Sequence, residues 1–129
     1  MNPSPRPGFT TLTPRVVVAD ATGLLAFLRT VFEATGETSG DRPVEARIGD
    51  SVLMVTPAGA RAPFPAFLYV YVDDCDARYR RAIDAGATSV EAPLDTPYGD
   101  RRAMVKDRFG NVWQIAHVLA APLPGDGRP

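Results

Sequence analysis

The chain has 129 residues, of which 45% are hydrophobic and 22% charged, and a net charge of −1. This composition predicts one globular domain and argues against a disordered chain, a basic nucleic-acid binder and a polybasic membrane attachment. No apolar run approaches the roughly 20 residues of a membrane span, and one cysteine with one histidine excludes an internal disulfide and favours a reducing, cytoplasmic location.

Proline-rich stretches divide the chain into tails, modules and a linker. The predicted bounds are 1–9 for a flexible tail, 10–57 and 66–119 for two modules of one domain, 58–65 for the linker and 120–129 for a second flexible tail.

The first module predicts a strand at 13–19, a helix capped by Asp20 and then three strands. The helix has apolar residues at three- and four-residue steps, which indicate one buried face, and Gly36 is its expected end. The three strands are a short one at 37–41 and two at 44–48 and 51–56, joined by a tight turn at Gly49 and Asp50.

The second module repeats this order. A strand at 66–72 leads to a helix capped by Asp74 and ended by Gly86, a short strand at 88–91, and a hairpin of 101–106 with 112–118. The residues expected on the buried stripe of the helix are Cys75, Tyr79, Ala82 and Ile83, and those expected to face solvent are Arg78, Arg80, Arg81 and Asp84.

The two modules align along the chain. Val72 lies 54 residues after Val18, and Val112 lies 60 residues after Val52. Because the difference falls in loops, where length varies freely, we interpret the chain as a duplicated strand–helix–three-strand unit.

The most specific motif spans residues 98–116, Tyr-Gly-Asp-Arg-Arg-Ala-Met-Val-Lys-Asp-Arg-Phe-Gly-Asn-Val-Trp-Gln-Ile-Ala. It resembles the Gly-Asp-Arg … Asp-Pro-Phe-Gly-x-x-Trp pattern of one branch of the glyoxalase/bleomycin-resistance group, the vicinal oxygen chelate superfamily, with Arg108 where proline is usual. Residues 47–54 and 84–88 also look like that branch. The resemblance implies an α+β fold in which two βαβββ modules form a cupped mixed sheet over residues 10–119.

The resemblance also implies where a metal ion would bind. Metal-dependent members place His, Glu or Gln on four strands, and the matching positions in this chain hold Thr13, Met54, Phe67 and Gln114. Of these, Gln114 alone suits a divalent ion, which needs fixed nitrogen or oxygen donors. The single histidine, His117, has the wrong strand parity. We therefore expect no catalytic metal and no cofactor.

Strand parity predicts which side chains line the cup. The expected ligand-binding residues are Arg15, Met54, Phe67, Tyr69, Tyr71, Arg102, Met104 and Gln114. Arg102, Met104 and Asp100 join this lining if Lys106 pairs with Val112 across the hairpin. The candidates for acid–base catalysis are Tyr69, Tyr71 and Asp100.

Several of these residues also have a structural interpretation. The tyrosines cover the sheet in that case, and Arg15 pairs with a carboxylate. Trp113 and Ile115 face the opposite side, where they are expected to pack against a helix, and Cys75 is expected to be a small buried residue. His117 is expected to be structural or exposed.

A lining that is mostly apolar and aromatic suits a small organic ligand with planar parts. We predict a metal-independent binding protein that sequesters an aromatic natural product or antibiotic, as antibiotic-resistance relatives do. The alternatives are a metal-independent lyase, isomerase or cyclase, and a metal-dependent glyoxalase- or dioxygenase-like enzyme, so whether the chain is an enzyme stays open. The resemblance further implies a homodimer, and the net charge of −1 predicts no nucleic-acid or membrane partner.

Overall fold

The computed structural model describes residues 5–38 and 42–120. The chain divides into two compact units, Met1–Pro65 and Ala66–Pro129, each of which contains one of the two predicted modules. Both units combine strands with a single helix, so the predicted α+β class is confirmed. Residues 1–4 of the first predicted tail and 121–129 of the second lie outside the described residues, and the flexibility of the tails stays a prediction.

The first unit contains β1 (Arg15–Val18), α1 (Ala21–Phe32), β2 (Val44–Ile48) and β3 (Ser51–Pro57). Its sheet has the order β1-β3-β2, with β1 parallel and β2 antiparallel to β3. The predicted cap is confirmed, since the Asp20 carboxylate accepts a hydrogen bond of 2.8 Å from the backbone N–H of Gly23. The apolar stripe of α1 is buried, as its spacing predicts, at Leu24, Leu25, Phe27, Leu28, Val31 and Phe32.

The first unit differs from prediction after its helix. α1 ends at Phe32 because Glu33 adopts a left-handed conformation with φ of 57°, so the helix stops before Gly36. The described part of the strand expected at 37–41 is not a strand, and Thr35 forms an isolated bridge with Arg47. Residues 37 and 38 are not in a strand, and residues 39–41 lie outside the described ranges.

The second unit contains β4 (Phe67–Tyr71), α2 (Cys75–Asp84), β5 (Thr88–Asp95), β6 (Asp100–Lys106) and β7 (Val112–Val118). Its sheet has the order β4-β7-β6-β5, with β4 parallel to β7 and the other pairs antiparallel. β5 is longer than predicted. It continues through Pro93, which an edge strand tolerates, and its register against β6 shifts twice.

One assignment on α2 is wrong. Arg78 was expected to face solvent with the other helix arginines, but it is 8% exposed. Its Nε lies 3.1 Å from Oδ1 of Asp73, the residue before the cap. The charge of Asp73 lets the aliphatic stem of Arg78 lie in the packed face of the helix, because a buried guanidinium needs a partner.

The core of the second unit lies between its sheet and α2. Trp113 and Ile115 of β7 are fully buried there, together with Cys75 of α2, as strand parity predicts. None of the helices in the described residues has the length and apolar character that a membrane span requires.

Candidate functional site

The sheet of the second unit brings its predicted site residues onto one face. Lys106 pairs with Val112, which confirms the predicted register, and the same ladder pairs Met104 with Gln114. The parallel ladder places Tyr69 of β4 opposite Gln114. Paired residues share a face and parity alternates along each strand. We call this surface the aromatic face; it carries Phe67, Tyr69, Tyr71, Asp100, Arg102, Met104 and Gln114.

A buried carboxylate lies at the centre of the polar groups on the aromatic face. Asp100 is 1% exposed. Its Oδ2 accepts hydrogen bonds of 2.7 Å from the hydroxyl of Tyr69 and 2.8 Å from the hydroxyl of Tyr71. The two tyrosine rings lie 5.3 Å apart between centroids. The three acid–base candidates named from the sequence therefore form one contact group.

The backbone of Asp100 is held as tightly as its side chain. Its N–H donates to Thr96 Oγ1 at 3.0 Å, and its carbonyl oxygen accepts from the same hydroxyl at 2.8 Å. The carbonyl also accepts from the backbone N–H of Thr96 at 2.7 Å. This short closed loop between β5 and β6 fixes where the carboxylate points.

The hydrogen bonds around Tyr69 have a defined direction. A phenol has one hydrogen, and Tyr69 donates its hydrogen to Asp100, so the 3.4 Å contact between Tyr69 and Tyr98 makes Tyr98 the donor. Arg102 Nη1 in turn donates to the Tyr98 hydroxyl oxygen at 3.1 Å. The donors therefore run in order from Arg102 through Tyr98 and Tyr69 to Asp100.

The same environment changes the acidity of Tyr69. Burial, followed by the hydrogen bonds to Tyr98 and Asp100, raises the pKa of Tyr69 well above its ordinary value. The phenol thus stays protonated at neutral pH and acts as a hydrogen-bond donor to the carboxylate.

Arg102 is the positively charged residue at the start of the hydrogen-bond series that ends at Asp100. Its Nη2 lies 2.5 Å from Glu91 Oε1, and this hydrogen bond is the main reason why the pKa of Arg102 is raised. Its Nε is buried and has no hydrogen-bond partner among the described residues. Arg102 is thus an ion-paired residue at the border of the aromatic face, with one donor unused.

Two rings of the aromatic face remain open to solvent. Phe67 is 67% exposed and Tyr71 is 60% exposed, whereas Asp100, which accepts a hydrogen bond from the Tyr71 hydroxyl, is buried. A ligand ring is therefore able to stack on either side chain while the Asp100 carboxylate stays fixed.

The first unit holds the other predicted site residues on its own sheet. Arg15 pairs with Met54, and Val17 pairs with Thr56, so these four share one face. Thr13 precedes β1. The predicted cup, which combines residues of both modules, stays a prediction.

The donor set of the four family metal positions does not suit a divalent ion. Phe67 has no donor atom, Met54 offers only a thioether, and Gln114 lies between Tyr69 and Met104 in the ladders. The described residues also contain no group of three or more His, Cys, Asp or Glu side chains placed to hold a metal.

Three residues of the site were not identified from the sequence: Tyr98, Glu91 and Thr96. Tyr98 opens the quoted motif two residues before Asp100, so its position was visible although its role was not. Glu91 lies in β5 opposite Met104 of β6, and Thr96 follows the end of β5, where it hydrogen-bonds to the backbone of Asp100. His117 is structural, since its Nδ1 accepts a hydrogen bond of 2.8 Å from the backbone N–H of Cys75 at the start of α2.

Comparisons with known proteins agree with this architecture. The profile of the Glyoxalase/Bleomycin resistance protein/Dioxygenase superfamily matches residues 12–115. An uncharacterized protein of Mycobacterium bovis is 30% identical over 126 residues, covering 84% of this chain and 83% of that protein. The anthracycline biosynthesis protein DnrV of Streptomyces peucetius is 45% identical over 79 residues, covering 61% of this chain but only 26% of DnrV. Among solved structures, TioX from Micromonospora sp. ML1 superposes with a TM-score of 0.71 at 22% identity, covering 85% of this chain and 99% of TioX.

Proposed function

The chain belongs to the Glyoxalase/Bleomycin resistance protein/Dioxygenase superfamily, and from that premise we propose that it binds a small planar aromatic molecule on the aromatic face without a metal ion. The observation that carries the proposal is the contrast within that face. Phe67 and Tyr71 expose their rings, while Asp100, which accepts hydrogen bonds from the hydroxyls of Tyr69 and Tyr71, is 1% exposed.

In this arrangement, different residues contact the ligand and hold the contacting side chains in place. The exposed rings provide apolar contact area for a ligand ring, and aromatic pairs of this kind add about 1 kcal/mol beyond the buried area. The buried carboxylate orients the tyrosine hydroxyls, so the rings are held in place before a ligand arrives. Preorganisation of this kind lowers the entropy cost of binding.

The similarity to DnrV supports an aromatic ligand, because anthracyclines contain planar fused rings. That similarity covers about a quarter of DnrV, so it supports the ligand class and not a shared reaction. The donor chemistry at Thr13, Met54, Phe67 and Gln114 supports the absence of a metal from the site.

Binding of emodin, a planar anthraquinone, tests the proposal. We expect protein dialysed against EDTA to bind emodin as tightly as untreated protein, measured by fluorescence titration. Phe67→Ala and Tyr71→Ala are each expected to weaken binding by about tenfold. Tyr79→Ala is the matched control, because Tyr79 lies on α2 and donates to Ser89, away from the aromatic face. Loss of binding in EDTA, or equal affinity in all three variants, would contradict the proposal.

A second candidate function is a metal-independent enzyme that moves a proton, and the hydrogen bond of 2.8 Å between the Tyr71 hydroxyl and Asp100 favours it. In this reaction the Tyr71 oxygen takes a proton from the substrate while its own hydrogen passes to Asp100. Incubation of an aromatic ketone that carries α-hydrogens, such as α-tetralone, in D₂O distinguishes the candidates. Deuterium at a substrate carbon with the wild type, and none with Asp100→Asn, supports an enzyme, and no exchange in either supports a binding protein.

We also propose that the protein is a cytoplasmic homodimer. The sheet of the second unit ends in β4 on one side and β5 on the other, and natural sheets cover or pair such edges. Sedimentation equilibrium tests this proposal, since a monomer at all protein concentrations would contradict it.

A further inference from the structure

We propose that residues Arg6–Phe9 form a latch, a movable cover over one end of the ligand-side face of the first sheet. The ligand-side face is the one that carries Arg15 and Met54, two of the predicted ligand-binding residues, which pair in the ladder between β1 and β3. Latch and face both belong to the first unit, so the inference does not depend on the aromatic face or on a ligand bound there.

The residue that anchors the latch is Arg47 of β2. Arg47 pairs with Val52 of β3, and Val52 lies two residues before Met54, so strand alternation places Arg47 on the ligand-side face. The two ends of this face differ in exposure. Val52 is 3% exposed, whereas Arg15 is exposed. The face is therefore closed beside Arg47 and open beside Arg15.

Two contacts join the latch to its anchor. Nη1 of Arg47 donates a hydrogen bond of 2.9 Å to the carbonyl oxygen of Gly8, and Cζ of Arg47 lies 6.0 Å from the centroid of the Phe9 ring. Cζ of Arg6 lies 5.1 Å from the same centroid, and the N–H of Phe9 donates to the carbonyl oxygen of Arg6 at 2.9 Å. The latch is thus a tight turn whose ring attracts two guanidinium groups.

The latch is held loosely enough to open. Phe9 is half-buried, and residues 5–8 are exposed, so the segment removes little surface from water. Exposed hydrogen bonds and cation–π contacts are individually weak, and segments with little burial open more readily than the core does. Opening would uncover the ligand-side face at Val52 without unfolding the sheet.

Gly8 is the residue at which a small change opens the latch. Its φ is 86°, and a Cβ at this position would lie 2.6 Å from Nη2 and 3.2 Å from Nη1 of Arg47. A side chain is therefore strained here by its backbone and meets the guanidinium directly. Since the guanidinium is the mobile end of its side chain, it moves away and its hydrogen bond to Gly8 is lost, while β2 stays in place.

The reactivity of a thiol at position 52 tests whether the latch covers the face. Val52→Cys in a Cys75→Ala background leaves one thiol in the chain, and its reaction with DTNB is followed by absorbance. We expect Gly8→Ala and Phe9→Ala each to raise the labelling rate about tenfold, because each removes a contact that keeps the latch closed. Gly49→Ala is the matched control. Gly49 also has positive φ, of 58°, in the turn before β3, but a Cβ there meets nothing within 4 Å, so the rate should not change.

Far-UV circular dichroism identifies variants that retain the fold, and Phe9→Ala provides the test if Gly8→Ala does not. Slow labelling with the latch intact and fast labelling in a folded latch variant support the inference. Labelling that is equally fast or equally slow in all proteins would overturn it. An acceleration in Gly49→Ala as large as in Gly8→Ala would also overturn it, since strain in the first sheet would then expose position 52 without the latch.

Discussion

The indole Nε1 of Trp113 donates a hydrogen bond of 2.9 Å to Oδ2 of Asp107, six residues earlier in the β6–β7 hairpin. The same oxygen accepts from the side-chain amide of Asn111 at 3.0 Å, and Oδ1 accepts from the backbone N–H groups of Phe109 and Asn111. Asp107, Asn111 and Trp113 are all buried. Asp107 and Trp113 of the quoted motif, together with Asn111, thus build the hairpin turn and anchor the core, whereas Asp100 of the same motif is on the aromatic face.

This arrangement predicts a large effect of Asp107→Ala on folding. Four donors would lose their acceptor inside the protein, and a variant with buried unsatisfied donors loses about 3 kcal/mol or more of unfolding free energy. Urea denaturation measures the change. Asp84→Ala removes an exposed carboxylate from the end of α2 and is expected to change stability by less than about 0.5 kcal/mol. Similar midpoints for the two variants would show that the turn does not depend on Asp107.

The raised pKa of Tyr69 predicts that the folded protein loses stability at alkaline pH. Its pKa is raised in the folded protein by burial and by its hydrogen bonds to Tyr98 and Asp100, so the folded state favours the protonated phenol. Its contribution is complete below the ordinary tyrosine pKa of about 10 and is lost as the pH rises above that value.

The comparison of Tyr69→Phe with Tyr79→Phe checks this pH dependence. We expect urea denaturation of the wild type to show stability falling above about pH 10, with a shallower fall in Tyr69→Phe. Tyr79→Phe also removes one phenol but should keep the slope of the wild type. A slope that is unchanged in Tyr69→Phe would assign the alkaline loss to other groups.

Cys75 is expected to be inert in the folded protein. Burial, and secondarily the charge of Asp76, raise the pKa of its thiol to about 11, and its Sγ lies 3.2 Å from the Ile115 carbonyl oxygen. A thiol reagent at pH 8 should therefore react slowly, because the reactive thiolate is scarce and enclosed. In urea the rate should rise to that of a free thiol. Fast labelling of the native protein would mean that the start of α2 opens readily.

Replacing Gly36 or Gly49 by alanine is expected to lower the free energy of unfolding by different amounts. Both have positive φ, of 135° and 58°, but a Cβ on Gly36 would lie 2.8 Å from the Glu45 carbonyl oxygen, whereas a Cβ on Gly49 meets nothing within 4 Å. Gly49→Ala should cost about 1 kcal/mol for backbone conformation alone. Gly36→Ala should cost about 2 kcal/mol or more, since β2 must also move. Thermal unfolding compares the two, and a smaller shift for Gly36→Ala would contradict the steric account.

Local sequence patterns predicted most elements of both units because their causes are local. Asp20 and Asp74 cap helices through hydrogen bonds to residues three positions later, and such spacing is visible in the chain. Alternation along β6 and β7, together with one assumed pair, was enough to place Asp100, Arg102 and Met104 on the face of Gln114. Arg78 was misplaced because its burial depends on a charge five residues earlier, which helical periodicity does not register.

The order of the elements, the duplicated modules and the alternation of faces were determined by the amino-acid sequence alone, since caps, turns and hydrophobic periodicity act over a few residues. Only the tertiary structure decided that Tyr69 and Tyr71 donate to one buried carboxylate and that Arg102 is paired with Glu91. Those contacts join residues of different strands, and their distances depend on register shifts in β5 and on side-chain packing. Tertiary structure likewise decided that the predicted linker folds back beside β1, because the hydrogen bonds of residues 58 and 64 to β1 have no counterpart in a local pattern.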